Sequence, residues 1–319
     1  MISLEDIRHS PNQIIVLGSH EPIIQSILDF DFLSGKITGS IAAIVTGRRG
    51  YAKYFFGTDE VLIPTLTSPM QLTTQTQTNL WFLSLLSGRR SLSSTMELLK
   101  SKFLGRGAVL AGGAIFAEGV PELHALTLSK ERQHELIVGP ASVGLLIPGV
   151  LKLGPIGGIT PEQIEEGKLT QKGGVAVLSA SGGMTNELIN IAVEAGHRLS
   201  FALSFGGDRF PILSPRDAFL LAEEDPQTKA VLYYGELGGE DEYELTKLKE
   251  EGKFTKAVIA HIAGTVAGLF PESPQFGHAK AKADKEKTTA LAKRRALKQA
   301  GFHVSSSFTE FINLVDRLK

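Results

Sequence analysis

The 319-residue chain is expected to be an α/β protein made of two successive units, each with a largely parallel sheet. Short β-rich apolar runs alternate with helical patterns along its whole length, as parallel βαβ units require. A stretch rich in Gly, Pro and charge interrupts the alternation near the middle. The length exceeds one typical small domain, and 42% apolar residues can fill two cores.

In the first half, residues 13–17 read as a strand that ends at Gly18-Ser19-His20-Glu21, and 22–30 as a helix. Only one glycine of a GxGxxG fingerprint is present, so a dinucleotide site is weakly signalled. A turn at Gly18 would aim free helix N–H groups at a phosphate or similar anion; a tight turn without a ligand accounts for the same residues. Further strands are expected at 41–45, 54–56 with 61–63, 80–83, 108–116 and 136–138. Parallel strands place ligand loops at their carboxyl ends. Those loops here hold Thr46-Gly47-Arg48-Arg49, Ser87-Gly88-Arg89-Arg90, Ala117-Glu118-Gly119-Val120-Pro121 and Gly139-Pro140-Ala141-Ser142. The arginine pairs could grip a phosphorylated ligand, or simply be solvated turns.

Residues 148–172 read as an extended connection, with the division between units at 158–171. The second half restarts with a strand at 175–178 that runs into Ser179-Ala180-Ser181-Gly182-Gly183 and a helix to 195. Ser181, Gly182 and Gly183 form the best phosphate cradle in the chain, because small residues let an anion reach the unpaired N–H groups of a helix start. Close packing of strand and helix is the alternative use of those glycines. Strands at 199–203, 230–234, 257–263 and 303–307 follow, with helices at 215–224, to about 253, and at 308–318. Glu236 sits between glycines at the end of one strand, where a carboxylate can orient a histidine ring. His278 stands in the loop after the next strand.

Charge is balanced, 33 Lys and Arg against 34 Asp and Glu, so no global field draws the chain to nucleic acid or an anionic membrane. The basic run 280–298 is read as a solvated helical face, because it has no aromatics for base stacking. Cysteine is absent, which removes thiolate catalysis and disulfides. Without a signal-like N-terminus or a long apolar run, the protein is expected to be cytoplasmic. The histidines lack HExxH spacing and Ser181 lacks a GxSxG elbow, so no metal site is expected and a serine hydrolase is disfavoured.

Taken collinearly, several short stretches are specific: Leu28-Asp29-Phe30-Asp31, Leu62-Ile63-Pro64, Ser94-Thr95-Met96-Glu97, Ala117-Glu118-Gly119-Val120-Pro121-Glu122, Ile137-Val138-Gly139-Pro140-Ala141, Ser181-Gly182-Gly183-Met184 with Asn186-Glu187, Gly206-Gly207-Asp208-Arg209, and Gln275-Phe276-Gly277-His278-Ala279. From about Asn12 onward the chain resembles the succinyl-CoA synthetase α-subunit superfamily, and is most similar to its citrate-type members, the matching part of ATP-citrate lyase and the small subunit of citryl-CoA synthetase.

The resemblance implies an N-terminal Rossmann-like CoA-binding domain (1–160) and a flavodoxin-like ligase domain (161–319). It implies an acid-CoA ligase of the ADP-forming type that makes citryl-CoA through a phosphohistidine and an acyl phosphate. His278 is then the phosphorylated residue, Glu236 its ring partner, and Ser181 and Gly182 open the helix that stabilises the phosphoryl group. Gly18, Ser19, Ser87, Arg89 and Glu118 are carried over as CoA-binding residues. ATP and Mg2+ come through a β-type ATP-grasp subunit in a hetero-oligomer, and the carboxylate that receives the phosphoryl group is citrate or another small acid. Two positions depart from the family pattern: Ala180 stands where it has arginine, and Lys280 where it has glycine. A succinyl-CoA synthetase α subunit, a ligase for another carboxylate, and a CoA-binding relative without activity remain as alternatives.

Overall fold

The computed structural model describes residues 1–72, 78–100, 109–278 and 280–318. Ala108 of an expected strand and Ala279 of the histidine loop lie outside the described residues. The chain forms two seven-stranded sheets flanked by helices. The first contains β1 (Asn12–Leu17), β2 (Ile41–Val45), β3 (Gly50–Phe56), β4 (Asp59–Leu66), β5 (Asn79–Ser84), β6 (Val109–Ile115) and β7 (Leu136–Val138). Their spatial order is β3-β4-β2-β1-β5-β6-β7, parallel throughout except for the antiparallel β3–β4 hairpin. The continuous apolar strand expected at 80–83 is β5, buried along its whole length, as parallel strands covered on both faces must be.

The second sheet takes β8 (Leu145–Ile147), β9 (Leu151–Leu153), β10 (Val175–Ser179), β11 (Leu199–Ser204), β12 (Ala230–Gly235), β13 (Ala257–Ile262) and β14 (His303–Val304), in the order β14-β13-β12-β10-β11-β8-β9. The strands from β10 onward are parallel, whereas β8 and β9 form an antiparallel hairpin on β11. Helices α1 (Leu4–His9), α2 (Glu21–Leu33), α3 (Gly88–Leu99) and α4 (Glu122–Glu131) accompany the first sheet in sequence. The second half supplies α5 (Pro161–Glu166), α6 (Gly182–Glu194), α7 (Pro215–Glu224), α8 (Asp241–Glu250), α9 (Ala290–Gln299) and α10 (Phe308–Asp316). Among the described residues no helix is long and apolar enough to cross a membrane.

Three sequence expectations need correction. The second sheet begins at Leu145, inside the stretch given to the first unit, because 145–153 pair as a hairpin rather than run as a connection. The basic run 280–298 is not one solvated helix: α9 starts only at Ala290, and Lys280, Lys293 and Arg294 are buried. These three side chains are drawn inward by specific acceptors described below. The strand expected at 303–307 is regular only at His303 and Val304.

Lys152, in the middle of β9, is fully buried and joins the two halves. Its Nζ donates to Ser26 Oγ of α2 at 3.0 Å and to the Gly154 carbonyl at 2.9 Å. Burial lowers its pKa to about 7, against the opposing pull of Asp29 and Asp31. Above that pH the folded state has released a proton that the unfolded chain holds up to about 10.5. This group's contribution to stability therefore rises with pH between those values. Urea denaturation from pH 6 to 9 is expected to show the wild type gaining on Lys152→Met above pH 7. A difference that stays flat with pH would refute the assignment.

Candidate active site

Each sheet reverses its strand order at one strand, β1 in the first and β10 in the second, and crevices form at the carboxyl ends of such strands. At β10 the chain turns through Ala180 into α6, which Ser181 caps by accepting the Met184 N–H at 3.3 Å. Ser179 Oγ accepts the Ser181 N–H at 3.1 Å and donates to the Tyr234 carbonyl at 3.0 Å, so the ends of β10 and β12 are held together. Glu236 follows directly after β12. Its side chain therefore emerges beside the N-terminus of α6.

His278 reaches the same place from the loop after β13. Its carbonyl accepts from the Gln275 side chain at 2.5 Å and from the Ala281 N–H at 3.0 Å, which makes the loop a closed turn. The imidazole Nδ1 lies 2.7 Å from Glu236 Oε2. A carboxylate only accepts, so Nδ1 is the protonated nitrogen and Nε2 carries the free lone pair whenever the ring is neutral. The hydrogen bond to Glu236 raises the His278 pKa above the ordinary 6.5, outweighing burial. Ser181, Glu236, Phe276 and His278 line one cavity of about 330 Å³. The opposite side of the ring rests on Gly207, where a Cβ would stand 2.5 Å from Cδ2 and 2.8 Å from Nε2.

The cradle residues differ from one another. Ser181 faces the cavity, Gly182 is packed so that a Cβ would meet Val143 at 2.5 Å, and a Cβ on Gly183 would meet nothing within 4 Å. Packing thus explains Gly182, whereas Gly183 borders open space at the first turn of α6. The arrangement offers a nucleophilic nitrogen, a carboxylate that fixes its tautomer, and a helix N-terminus able to hold an anion.

A second cleft, of about 270 Å³, opens at the end of β1 and contains Gly18, Ser19, Thr46, Arg90 and Ser94. Gly18 adopts φ +90°, a conformation that favours glycine, and this turn forms the floor of the cleft. Ser87, Arg89 and Glu118 do not line it: Arg90 is the arginine of the pair that does. Ser87 is instead the N-cap residue of α3. The charge of Glu118 acts on the other site, where it raises the pKa of His278 and, together with burial, that of Asp208. The two clefts are connected through α3: Leu86 and Arg90 border the first, and a Cβ on Gly88 would lie 2.8 Å from the carbonyl of Gly119, next to Glu118. Segment 139–142 also binds both sheets, with Ala141 N–H donating to the Ala117 carbonyl at 2.9 Å and Gly139 N–H to that of Phe205 at 3.3 Å.

Three residues around His278 were not legible as site residues. Gly207 is quoted in a motif but reveals its purpose only once the ring is seen against it. Lys293 and Arg294 look like solvated helix charges, yet Lys293 Nζ donates to the Glu236 carbonyl at 2.7 Å, and Arg294 donates to the carbonyls of Ile262 and Ser306 at 2.5–2.9 Å. The departure at Lys280 is accommodated without filling the cavity. Its Nζ pairs with Asp241 and lies 5.5 Å from the centre of the Phe205 ring. Ala180 is buried, and its carbonyl accepts from Ser204 Oγ at 3.2 Å.

Residues 178–303, which include Ser181, Gly207, Glu236 and His278, match the family model described as CoA-ligase. The chain is 39% identical over 288 residues to ATP-citrate synthase beta chain protein 1 of Arabidopsis thaliana, covering 89% of this chain and 46% of that one. It is 35% identical over 308 residues to the probable ATP-citrate synthase subunit 1 of Schizosaccharomyces pombe, covering 95% and 49%. A solved structure of ATP citrate lyase from Methanothrix soehngenii in complex with citrate and coenzyme A superposes with a TM-score of 0.89 at 34% identity, covering 98% of this chain and 50% of that one. The chain spans about half the length of these relatives. It belongs to the CoA-ligase superfamily. Within that superfamily it is closely related to the ATP-citrate lyases, also called ATP-citrate synthases.

Proposed function

We propose that the chain is the acid-CoA-ligase part of an ATP-citrate lyase or citryl-CoA synthetase, with His278 as its phosphoryl carrier. The observation that carries this reading is the 2.7 Å contact of His278 Nδ1 with Glu236 beside the capped start of α6. In the first step Nε2 attacks the γ-phosphorus of ATP, an N–P bond forms, the bond to the bridging oxygen breaks, and ADP leaves. Glu236 keeps the Nδ1 proton in place and balances the ring charge, while Ser181 and the N–H groups at Gly182 and Gly183 receive the phosphoryl oxygens. A citrate carboxylate then takes the phosphorus, returning neutral His278, and the CoA thiolate displaces phosphate from the acyl phosphate to give citryl-CoA.

The reading divides the chain into a Rossmann-like CoA-binding domain and a flavodoxin-like ligase domain, 1–160 and 161–319 in sequence, with the hairpin 145–153 of the first stretch paired onto the sheet of the second. CoA would enter by the Gly18 and Ser19 cleft, whose turn and Arg90 suit a phosphate-bearing ligand, and the loop of Glu118 leads from there towards His278. ATP is supplied by a β-type ATP-grasp partner in a hetero-oligomer. Mg2+ would arrive with that nucleotide. The cytoplasm is the compartment proposed.

Incubation with ATP, Mg2+ and the partner is expected to place an acid-labile phosphate on the wild type and none on His278→Ala. Citrate with CoA should discharge it, and succinate and malate should do so poorly. Wild-type His278 that stays unphosphorylated with a competent partner would sink the ligase reading; preferential discharge by succinate would move the substrate but keep the chemistry.

A further inference from the structure

The Glu236 carboxylate is aimed at His278 by something other than its own side-chain contacts. Its Oε1 is buried and accepts no hydrogen bond among the described residues, and its Oε2 meets the His278 ring. Apart from the ring itself, the direction of the side chain depends on how its backbone is held. The N–H groups of that backbone are taken up by Leu237 to the Ala263 carbonyl at 3.0 Å and Gly238 to the Thr288 carbonyl at 2.8 Å, and its carbonyls by one ammonium group. Lys293 Nζ donates to the carbonyls of Glu236 and Gly238, and lies 2.6 Å from Glu242 Oε2. The two carbonyls accept hydrogen bonds, and the Glu242 carboxylate lies beside the group as its counter-ion. The Lys293 and Glu242 side chains are 1% and 3% exposed, so neither contact is an incidental surface pairing.

The sequence around the loop is built to admit this pair. A Cβ on Gly235 would lie 2.2 Å from Glu242 Oε1, so glycine there makes room for the buried carboxylate. Tyr233 donates to the same oxygen at 3.3 Å. Glu242 stands in the first turn of α8 and Lys293 in α9, so the pair also fixes where both helices meet the loop.

We propose that Lys293, with Glu242 as its counter-ion, is a positioning residue for the phosphoryl-transfer site, setting the Glu236 backbone so that its carboxylate meets His278 Nδ1. Its consequence for activity rests on the phosphoryl-carrier reading of His278; its consequence for the ring does not. Removing Lys293 alone would strand a buried carboxylate, so the informative variant replaces both partners with apolar residues, Lys293→Met with Glu242→Leu. The two charges are opposite and adjacent, and the leading influences on the His278 charge are Glu236, then burial, Lys280 and Glu118. A change in His278 titration in this variant therefore reports a displaced Glu236.

The test follows the His278 ring resonances against pH in the wild type and the double variant, and the rate at which phosphoramidate, a small chemical donor, phosphorylates each. The titration midpoint is expected to fall toward the ordinary 6.5, and phosphorylation to slow by roughly 10-fold or more, as when a partner that orients a reactive imidazole is loosened. A folded double variant with an unchanged midpoint overturns the proposal. If the wild type resists phosphorylation while the midpoint still falls, the phosphoryl-carrier reading fails and the positioning role stands. Should the double variant not fold, the wild type decides: the Lys293 ammonium resonance is expected to shift as His278 titrates, and a resonance indifferent to that titration overturns the proposal.

Discussion

Glu236→Gln is expected to lower the alkaline plateau of His278 phosphorylation by roughly 10- to 100-fold while moving the midpoint of its pH profile down. The reaction needs a neutral ring with its lone pair at Nε2. In the wild type the hydrogen bond to Glu236 holds the proton on the ring above the ordinary 6.5, so the rate should climb with pH through a raised midpoint. Glutamine keeps an acceptor for Nδ1–H but not the negative charge, so the ring deprotonates earlier and is less basic at Nε2. The deficit of the variant is therefore smallest in mild acid and largest on the alkaline plateau. Phosphoramidate labelling from pH 5.5 to 9 measures this, and two profiles with the same midpoint would show that Glu236 does not act on the ring charge. The same linkage has a sign in stability. A raised folded-state pKa contributes stability that is fully present below the unfolded value near 6.5 and is lost as pH rises through the folded value. The stability gap between wild type and Glu236→Gln should accordingly be wider at pH 5.5 than at pH 9. Both side chains retain some solvent exposure, 32% for His278 and 17% for Glu236, so the gap is expected to be small.

Most strands were legible because parallel strands buried on both faces are continuous apolar runs: residues 41–45, 80–83 and 136–138 need no tertiary information to be recognised. The site was legible to the extent that its residues sit directly after such strands. Ser181 follows β10 and Glu236 follows β12, and strand ends on one sheet converge whatever the helices do between them. What escaped depends on tertiary partners. Strands β8 and β9 are three residues each, and the lysine between two leucines in β9 reads as a surface residue until Ser26 and the Gly154 carbonyl are seen to receive it. Lys293 and Arg294 sit in a run of like charge whose local pattern is that of a solvated helix, and the carbonyls of Glu236 and Ile262 that draw them inward lie more than 30 residues away. Of the residues carried over for CoA, Gly18 and Ser19 border the cleft at the end of β1, and Arg90 rather than Arg89 borders it from α3. A one-residue step rotates a helical side chain by about 100°, so sequence motifs without a helix start do not tell which arginine of the pair borders the cleft.

Gly207→Ala should separate folding from chemistry more sharply than any change to the histidine itself. The position is not in a left-handed conformation, so alanine adds no backbone strain there. Its Cβ would nevertheless stand 2.5 Å from Cδ2, 2.8 Å from Nε2 and 2.9 Å from Cγ of His278. The obstacle is the end of a loop side chain that can swing aside, so the cost to stability should be within about 1 kcal/mol, as for substitutions outside a packed core. A ring that swings away from Gly207 cannot keep both its 2.7 Å contact with Glu236 and the present position of Nε2. Displacement of a reacting atom by about 1 Å costs roughly 100-fold in rate. The expected result is a thermal midpoint close to wild type with phosphoryl transfer from ATP and the partner down by roughly 100-fold, and a His278 titration midpoint drawn back toward 6.5. Unimpaired phosphorylation of a well-folded Gly207→Ala protein would mean that the ring works from another position than the one against Gly207. The pairing with Glu236 would then describe a resting arrangement rather than the reactive one.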